Sequence, residues 1–163
     1  MDSTRIQLVV NADDFGASDA ATRGVLRAHR EGVVTSTSVV GNCEGAEEVA
    51  RQLTAAPALG VGVHLVLIGG RPVSDPASIP SLVGADGRFV ASSGELYLRW
   101  GKAQLVDAEV TRELDAQVAR LRDLGIPLDH LDAHRHAGFL PVVAREMETP
   151  PPRNRTRRSS AEK

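Results

Sequence analysis

Short apolar, β-branched stretches alternate with helical patterns from the start of this 163-residue chain, and that alternation restricts the fold more than any other feature. Residues 6–12 form a mostly apolar run that stops at Asp13, Asp14, Phe15 and Gly16, the pattern of a buried parallel strand passing into a loop. Ser18 or Asp19 can cap a helix reaching Glu31, with Val25 and Leu26 on its apolar side and Gly32 as its stop. Residues 35–40 are rich in β-branched side chains and read as a second strand. Residues 44–56 read as a second helix closed by Pro57, and 60–68 as a third strand. A β-α-β-α-β order calls for a parallel sheet with right-handed crossovers, either open or curling into a barrel.

The rhythm breaks over residues 69–94, where Gly69, Gly70, Pro72, Pro76, Pro80, Gly84, Gly87 and Gly94 interrupt short apolar pieces. A connection of that length inside one domain is expected to cover a site or bind a ligand. Residues 95–103 suit a short helix. Residues 106–124 place Val106, Val110, Leu114, Val118, Leu121 and Leu124 at helical spacing, ended by Gly125 and Pro127. A short fourth strand is expected at 130–134, and Pro141 opens a last helix. Beyond Glu148 come Pro150, Pro151 and Pro152, then Arg153, Arg155, Arg157 and Arg158 among small polar residues. One domain over 1–148 and a disordered basic tail over 149–163 follow from this change of composition. The tail is either a natural flexible end or the truncated or out-of-frame end of a longer reading frame.

Bulk properties exclude several classes. Hydrophobic content of 42% with 25% charged residues suits one soluble domain, and no apolar run approaches the ~20 residues of a membrane span. Asp2 and Arg5 lead directly into a strand-like stretch, unlike a secretory signal. A lone Cys43 cannot form an internal disulfide, which points to a cytoplasmic setting. A net charge of −2 and 3% aromatic residues argue against a nucleic-acid partner.

The residues that carry chemistry gather at strand ends. Asp13 and Asp14 stand at the carboxyl edge of strand one, where ligands bind in α/β folds; strand alternation would send their carboxylates to opposite sides and into different roles. His64 lies in an otherwise apolar strand, with Gly60 and Gly62 on its face leaving room around the imidazole. In His130-Leu131-Asp132-Ala133-His134-Arg135-His136 a period of two puts His130, Asp132, His134 and, by extension, His136 on one side. Such a face is costly to bury unless it lines a wet or metal-filled cavity. One carboxylate and two imidazoles suit zinc or another divalent metal. The sequence has no dinucleotide fingerprint, phosphate loop or nucleophile elbow, which leaves metal-assisted hydrolysis. On residues alone, a sugar-phosphate isomerase, a non-haem iron oxygenase and a sugar-binding module without turnover stay open. His130 reads as a hydrogen-bonding strand residue, and Tyr97 and Trp100 as core.

Four ordered motifs resemble those of the YdjC-like carbohydrate deacetylases: Asn11-Ala12-Asp13-Asp14-Phe15-Gly16, Val34-Thr35-Ser36-Thr37-Ser38, Gly62-Val63-His64-Leu65, and the segment from His130 to His136. The Leu65 to Val73 stretch, followed by Ile79-Pro80-Ser81-Leu82 and Asp86-Gly87-Arg88-Phe89, is similar to the branch associated with hopanoid biosynthesis. The resemblance implies an irregular (β/α) barrel of the glycoside hydrolase/deacetylase type, incomplete in this chain. It implies a divalent metal, magnesium or zinc, and removal of acetyl from an N-acetylated amino sugar or glycolipid. Asp14, His64 and His134 would hold the metal, Asp13 would be the base, and His136 and Asp132 would contact substrate or support the ligands. The family pattern carries a further histidine where this chain has Gly138, so the proton donor to the leaving amine has no assigned residue. The alternative is an inactive truncated remnant with at most weak metal binding. The open strand edge of an unfinished barrel also invites a homo-oligomer.

Overall fold

Sheet register decides which side chains can meet, and here it separates a helix-covered face from a polar one. The computed structural model describes residues 8–148; the expected tail and the first residues of the expected first strand lie outside that range. Four strands, β1 (Asn11–Phe15), β2 (Ser36–Val40), β3 (Gly60–Leu65) and β4 (Leu128–Ala133), form one parallel sheet in the order β1-β2-β3-β4. Neighbours in space are neighbours in sequence, as in a (β/α) barrel, whereas a doubly wound sheet reverses direction from a central strand.

Paired residues in a parallel sheet share a face. Register therefore puts Asn11, Ser36, Ser38, Gly60, Gly62, His64, His130 and Asp132 on one side. Ala12, Thr37, Val39, Val61, Val63, Leu131 and Ala133 occupy the other. The second set, apart from the buried but polar Thr37, joins the hydrophobic core. The first is the face that a closing barrel turns inward.

Helix α1 (Asp19–Glu31) begins where the Ser18 hydroxyl accepts from the Ala21 N–H, and it buries Val25 and Leu26. Helix α2 (Ala46–Thr54) buries Val49 and Leu53. The expected long connection contains one 3₁₀ turn at Pro76–Ser78 and a bridge between Val83 and Phe89. It is packed down by Ile79, Leu82, Phe89 and Val90, all buried. Helices α3 (Ser93–Gly101), α4 (Asp107–Asp123) and α5 (Pro141–Glu148) complete the order.

Several boundaries differ from the sequence reading. Strand β1 starts later and includes the acidic pair, because its ladder begins at Asn11 opposite Ser36 and its polar side chains face a polar surface. Strand β3 ends at Leu65; Val66, Leu67 and Ile68 are buried but have left the ladder. Strand β4 runs from Leu128 to Ala133, and His134 opens a 3₁₀ turn. Trp100, expected in the core, is 46% exposed on α3.

Candidate metal centre

β3 delivers His64 two residues beyond Gly62, where any Cβ would overlap the His130 ring, so glycine keeps that lane open. His64 is buried, and its Nδ1 lies 2.6 Å from Asp132 Oδ1. The carboxylate accepts, so Nδ1 carries the proton and the Nε2 lone pair points outward. Nε2 is 3.0 Å from His134 Nδ1 and 3.5 Å from Asp14 Oδ1, and those two are 3.4 Å from each other. A tetrahedral ion with bonds of roughly 2.0–2.1 Å separates its ligand atoms by about 3.3 Å. The triangle of two imidazole nitrogens and one carboxylate oxygen therefore fits a divalent metal in size and donor chemistry.

Two departures from regular strand geometry make this possible. Asp14 has φ 66°, and the β1 register shifts between Ala12 and Phe15. That bulge breaks the expected alternation: Asp13 and Asp14 do not part to opposite sides of the sheet but both place carboxylates around His64. At the other edge Arg135 (φ 48°) and His136 (φ 64°) turn the chain sharply just after His134, the first residue past β4. Left-handed backbone at a non-glycine residue costs on the order of 1–3 kcal/mol and collects at functional sites. The Tyr97 hydroxyl holds this turn by donating to the His136 carbonyl at 2.6 Å.

Hydrogen bonds stiffen the surroundings. The Ser38 hydroxyl donates to Asp132 Oδ2. Asn11 Nδ2 donates to Asp13 Oδ1 at 2.8 Å and to Ser38 Oγ at 2.9 Å. His130 Nε2 lies 3.2 Å from Ser38 Oγ, which makes His130 the hydrogen-bonding strand residue expected of it. Burial, the largest single influence on His64, disfavours its imidazolium; the Asp132 hydrogen bond and the charges of Asp132, Asp13 and Asp14 outweigh it and raise the pKa. For Asp132 burial pushes up, while hydrogen bonds from His64 and Ser38 and the charges of His64 and His130 bring it below the usual carboxylate value. His134 is held low by burial and by the charge of His64, against the pull of Asp14.

The structure thus brings together Asp13, Asp14, His64, Asp132 and His134. It does not bring in His136, whose exposed ring stacks on Phe139 because the left-handed turn ends strand alternation before that residue. Asp132 holds His64. Asn11 and Ser38 have no assigned role in the sequence reading; their signal is that they alternate onto the same face as the histidines. A cavity of about 520 Å³ opens beside the centre, lined by Asp14 and His134 together with Asn42, Gly69, Gly70 and Arg71.

Fold and site together define a barrel-type α/β chain with a carboxylate–imidazole centre at the carboxyl edge of its strands. The chain belongs to the YdjC-like protein family, whose sequence profile it matches over residues 7–150. It is 42% identical over 150 residues to a carbohydrate deacetylase of Brevibacillus brevis, covering 88% of this chain and 56% of that protein. A chitooligosaccharide deacetylase of Proteus mirabilis is 40% identical over 144 residues, covering 84% and 53%. Among solved structures, a protein of Enterococcus faecalis V583 described as a candidate for cellobiose-phosphate cleavage superposes with a TM-score of 0.71 at 34% identity, covering 79% of this chain and 48% of that one. The chain spans about half the length of these relatives. Among the described residues no helix is long and apolar enough to cross a membrane.

Proposed function

We propose that this chain carries the metal-binding part of a carbohydrate N-deacetylase site and that its substrate is an N-acetylated amino sugar. The observation that carries this reading is the triangle of His64 Nε2, His134 Nδ1 and Asp14 Oδ1, with Asp132 fixing the His64 tautomer behind it. Two imidazoles favour zinc or a similar transition metal over magnesium, which prefers oxygen ligands. When bound, such an ion supplies Lewis acidity to the acetamide carbonyl and lowers the pKa of water. Asp13 is the base: Asn11 occupies its Oδ1 and fixes its rotamer, leaving Oδ2 to take the proton from the attacking water. Cleavage of the C–N bond releases acetate and the free amine, and protonated Asp13 can return its proton to that nitrogen. Homologous deacetylases acting on carbohydrates and chitooligosaccharides support the substrate class. A glycolipid of hopanoid biosynthesis is the narrower form, resting on the Leu65 to Val73 and Ile79 to Phe89 stretches. The free, buried Cys43 fits a reducing compartment.

A second reading, metal binding without turnover, is favoured by one observation: the outer edges of β1 and β4 have no strand partner among the described residues. Acetate release from a panel of N-acetylglucosamine conjugates by the metal-reconstituted chain separates the two. Release that disappears in His64→Ala and falls roughly 10²–10⁴-fold in Asp13→Asn supports the deacetylase. No release by this chain, with release by a version extended with the later part of a relative, supports the second reading. No release by either sinks the deacetylase assignment.

A further inference from the structure

Helix α4 buries two polar side chains, Glu113 and Gln117, each 0% exposed, on the same stripe as Val110, Leu114 and Leu121. Gln117 Oε1 accepts from the Val66 N–H at 2.9 Å, and its Nε2 donates to the Val66 carbonyl at 2.7 Å and to Glu113 Oε1 at 2.8 Å. Val66 is the first residue past the end of β3, so the glutamine side chain stands in for a missing strand neighbour. Glu113 Oε1 accepts from the Val73 N–H at 3.0 Å and Oε2 from the Ser74 N–H at 2.8 Å. On the cavity side Asn42 Nδ2 donates to the carbonyls of Gly69 at 3.3 Å and Arg71 at 2.9 Å. Gly41 permits the arrangement, because a Cβ there would overlap the Gln117 amide.

An apolar pair at 113 and 117 would fill the same volume without the cost of desolvating polar groups. It could not hold three backbone positions of an irregular segment. That segment contributes Val66, Ile68, Gly69, Gly70 and Arg71 to the wall of the cavity beside Asp14 and His134. We propose that Glu113 and Gln117 are positioning residues for sugar binding: from behind the segment, on helix α4, they fix the Val66-to-Ser74 wall of the cavity against which the sugar is held. This rests on the deacetylase reading for the identity of the ligand. The pair acts on sugar affinity and leaves the metal triangle, which it does not touch, in place.

The test uses the whole chain reconstituted with zinc, titrated calorimetrically with N,N′-diacetylchitobiose, in Glu113→Gln, Gln117→Met and Asn42→Ala. Glu113→Gln keeps the volume but turns an NH₂ toward a backbone N–H, and Asn42→Ala, at a partly exposed position, loosens the same wall elsewhere with little risk to folding. Expected results are unchanged zinc affinity, faster amide exchange at Val66, Val73 and Ser74, and a Kd for the disaccharide raised about tenfold, equivalent to roughly 1.4 kcal/mol. Unchanged sugar affinity in all three variants overturns the inference while leaving the deacetylase reading intact. So does a loss of zinc affinity that parallels the loss of sugar affinity, since that is the signature of a purely structural role. Failure of the unsubstituted chain to bind the disaccharide overturns the deacetylase reading and this inference with it.

Discussion

Asp132 stands behind the triangle of His64, His134 and Asp14, and its contribution can be measured apart from those three side chains. Its carboxylate orients His64 and leaves Nε2 to face His134 and Asp14; removing such an outer partner lowers metal affinity roughly 10–100-fold. Asp132→Ala should therefore bind zinc that much more weakly in a calorimetric titration, with one site per chain retained. The same pair governs the pH response of the metal-free fold. His64 is raised above 6.5, so its contribution is full below 6.5 and fades as pH rises through the higher folded value. Asp132 is lowered below 3.8, so its contribution is present above 3.8 and fades as pH falls through the lower folded value. His134, lowered below 6.5, works the other way and costs stability as pH drops. Comparison with Asp132→Ala isolates the pair: the difference in urea midpoint between the two metal-free proteins should be largest between pH 3.8 and 6.5 and shrink on either side. A pH-independent difference would show that packing, not the ion pair, holds Asp132.

Elements differ in how openly the sequence declares them. The α4 stripe is written in Val110, Leu114 and Leu121, which are buried, although Val106 at its start is 46% exposed. Leu114→Ala and Leu121→Ala should each cost about 2–5 kcal/mol in denaturant unfolding, as fully buried leucines do, while Val106→Ala should change little. Glu113 and Gln117 escape the periodicity reading because polar residues on an amphipathic helix are assigned to solvent by default. Their spacing of four on the buried side is the signal that could have found them. The β1 bulge at Asp14 and the left-handed turn at Arg135 and His136 are tertiary decisions, made by ladder register and by Tyr97, and no local propensity announces them. Asp14, His64 and His134, grouped as expected ligands by the family resemblance, lie together in the structure, whereas strand alternation announces neither the placement of Asp13 beside Asp14 nor the departure of His136.

At the scale of the molecule, strand order and polarity agree. A parallel sheet in sequential order carries its metal-competent side chains on one edge and its helices on one face, and both follow from alternation of strands and helices visible in the chain. The polar face of Asn11, Ser38, His130 and Asp132 makes sense as the inner wall of a barrel, where these side chains meet their hydrogen-bonding needs by pairing with one another and with Asp13. All of the proposed chemistry depends on one point, that three strand ends converge on a single divalent ion. The direct measurement is zinc stoichiometry and affinity for the metal-stripped whole chain, set beside His64→Ala, His134→Ala and His136→Ala. The expected result is one ion per chain, affinity reduced by about two orders of magnitude or more in the first two variants and unchanged in the third. Zinc binding that survives loss of both His64 and His134, or a chain that takes up no ion, would contradict it.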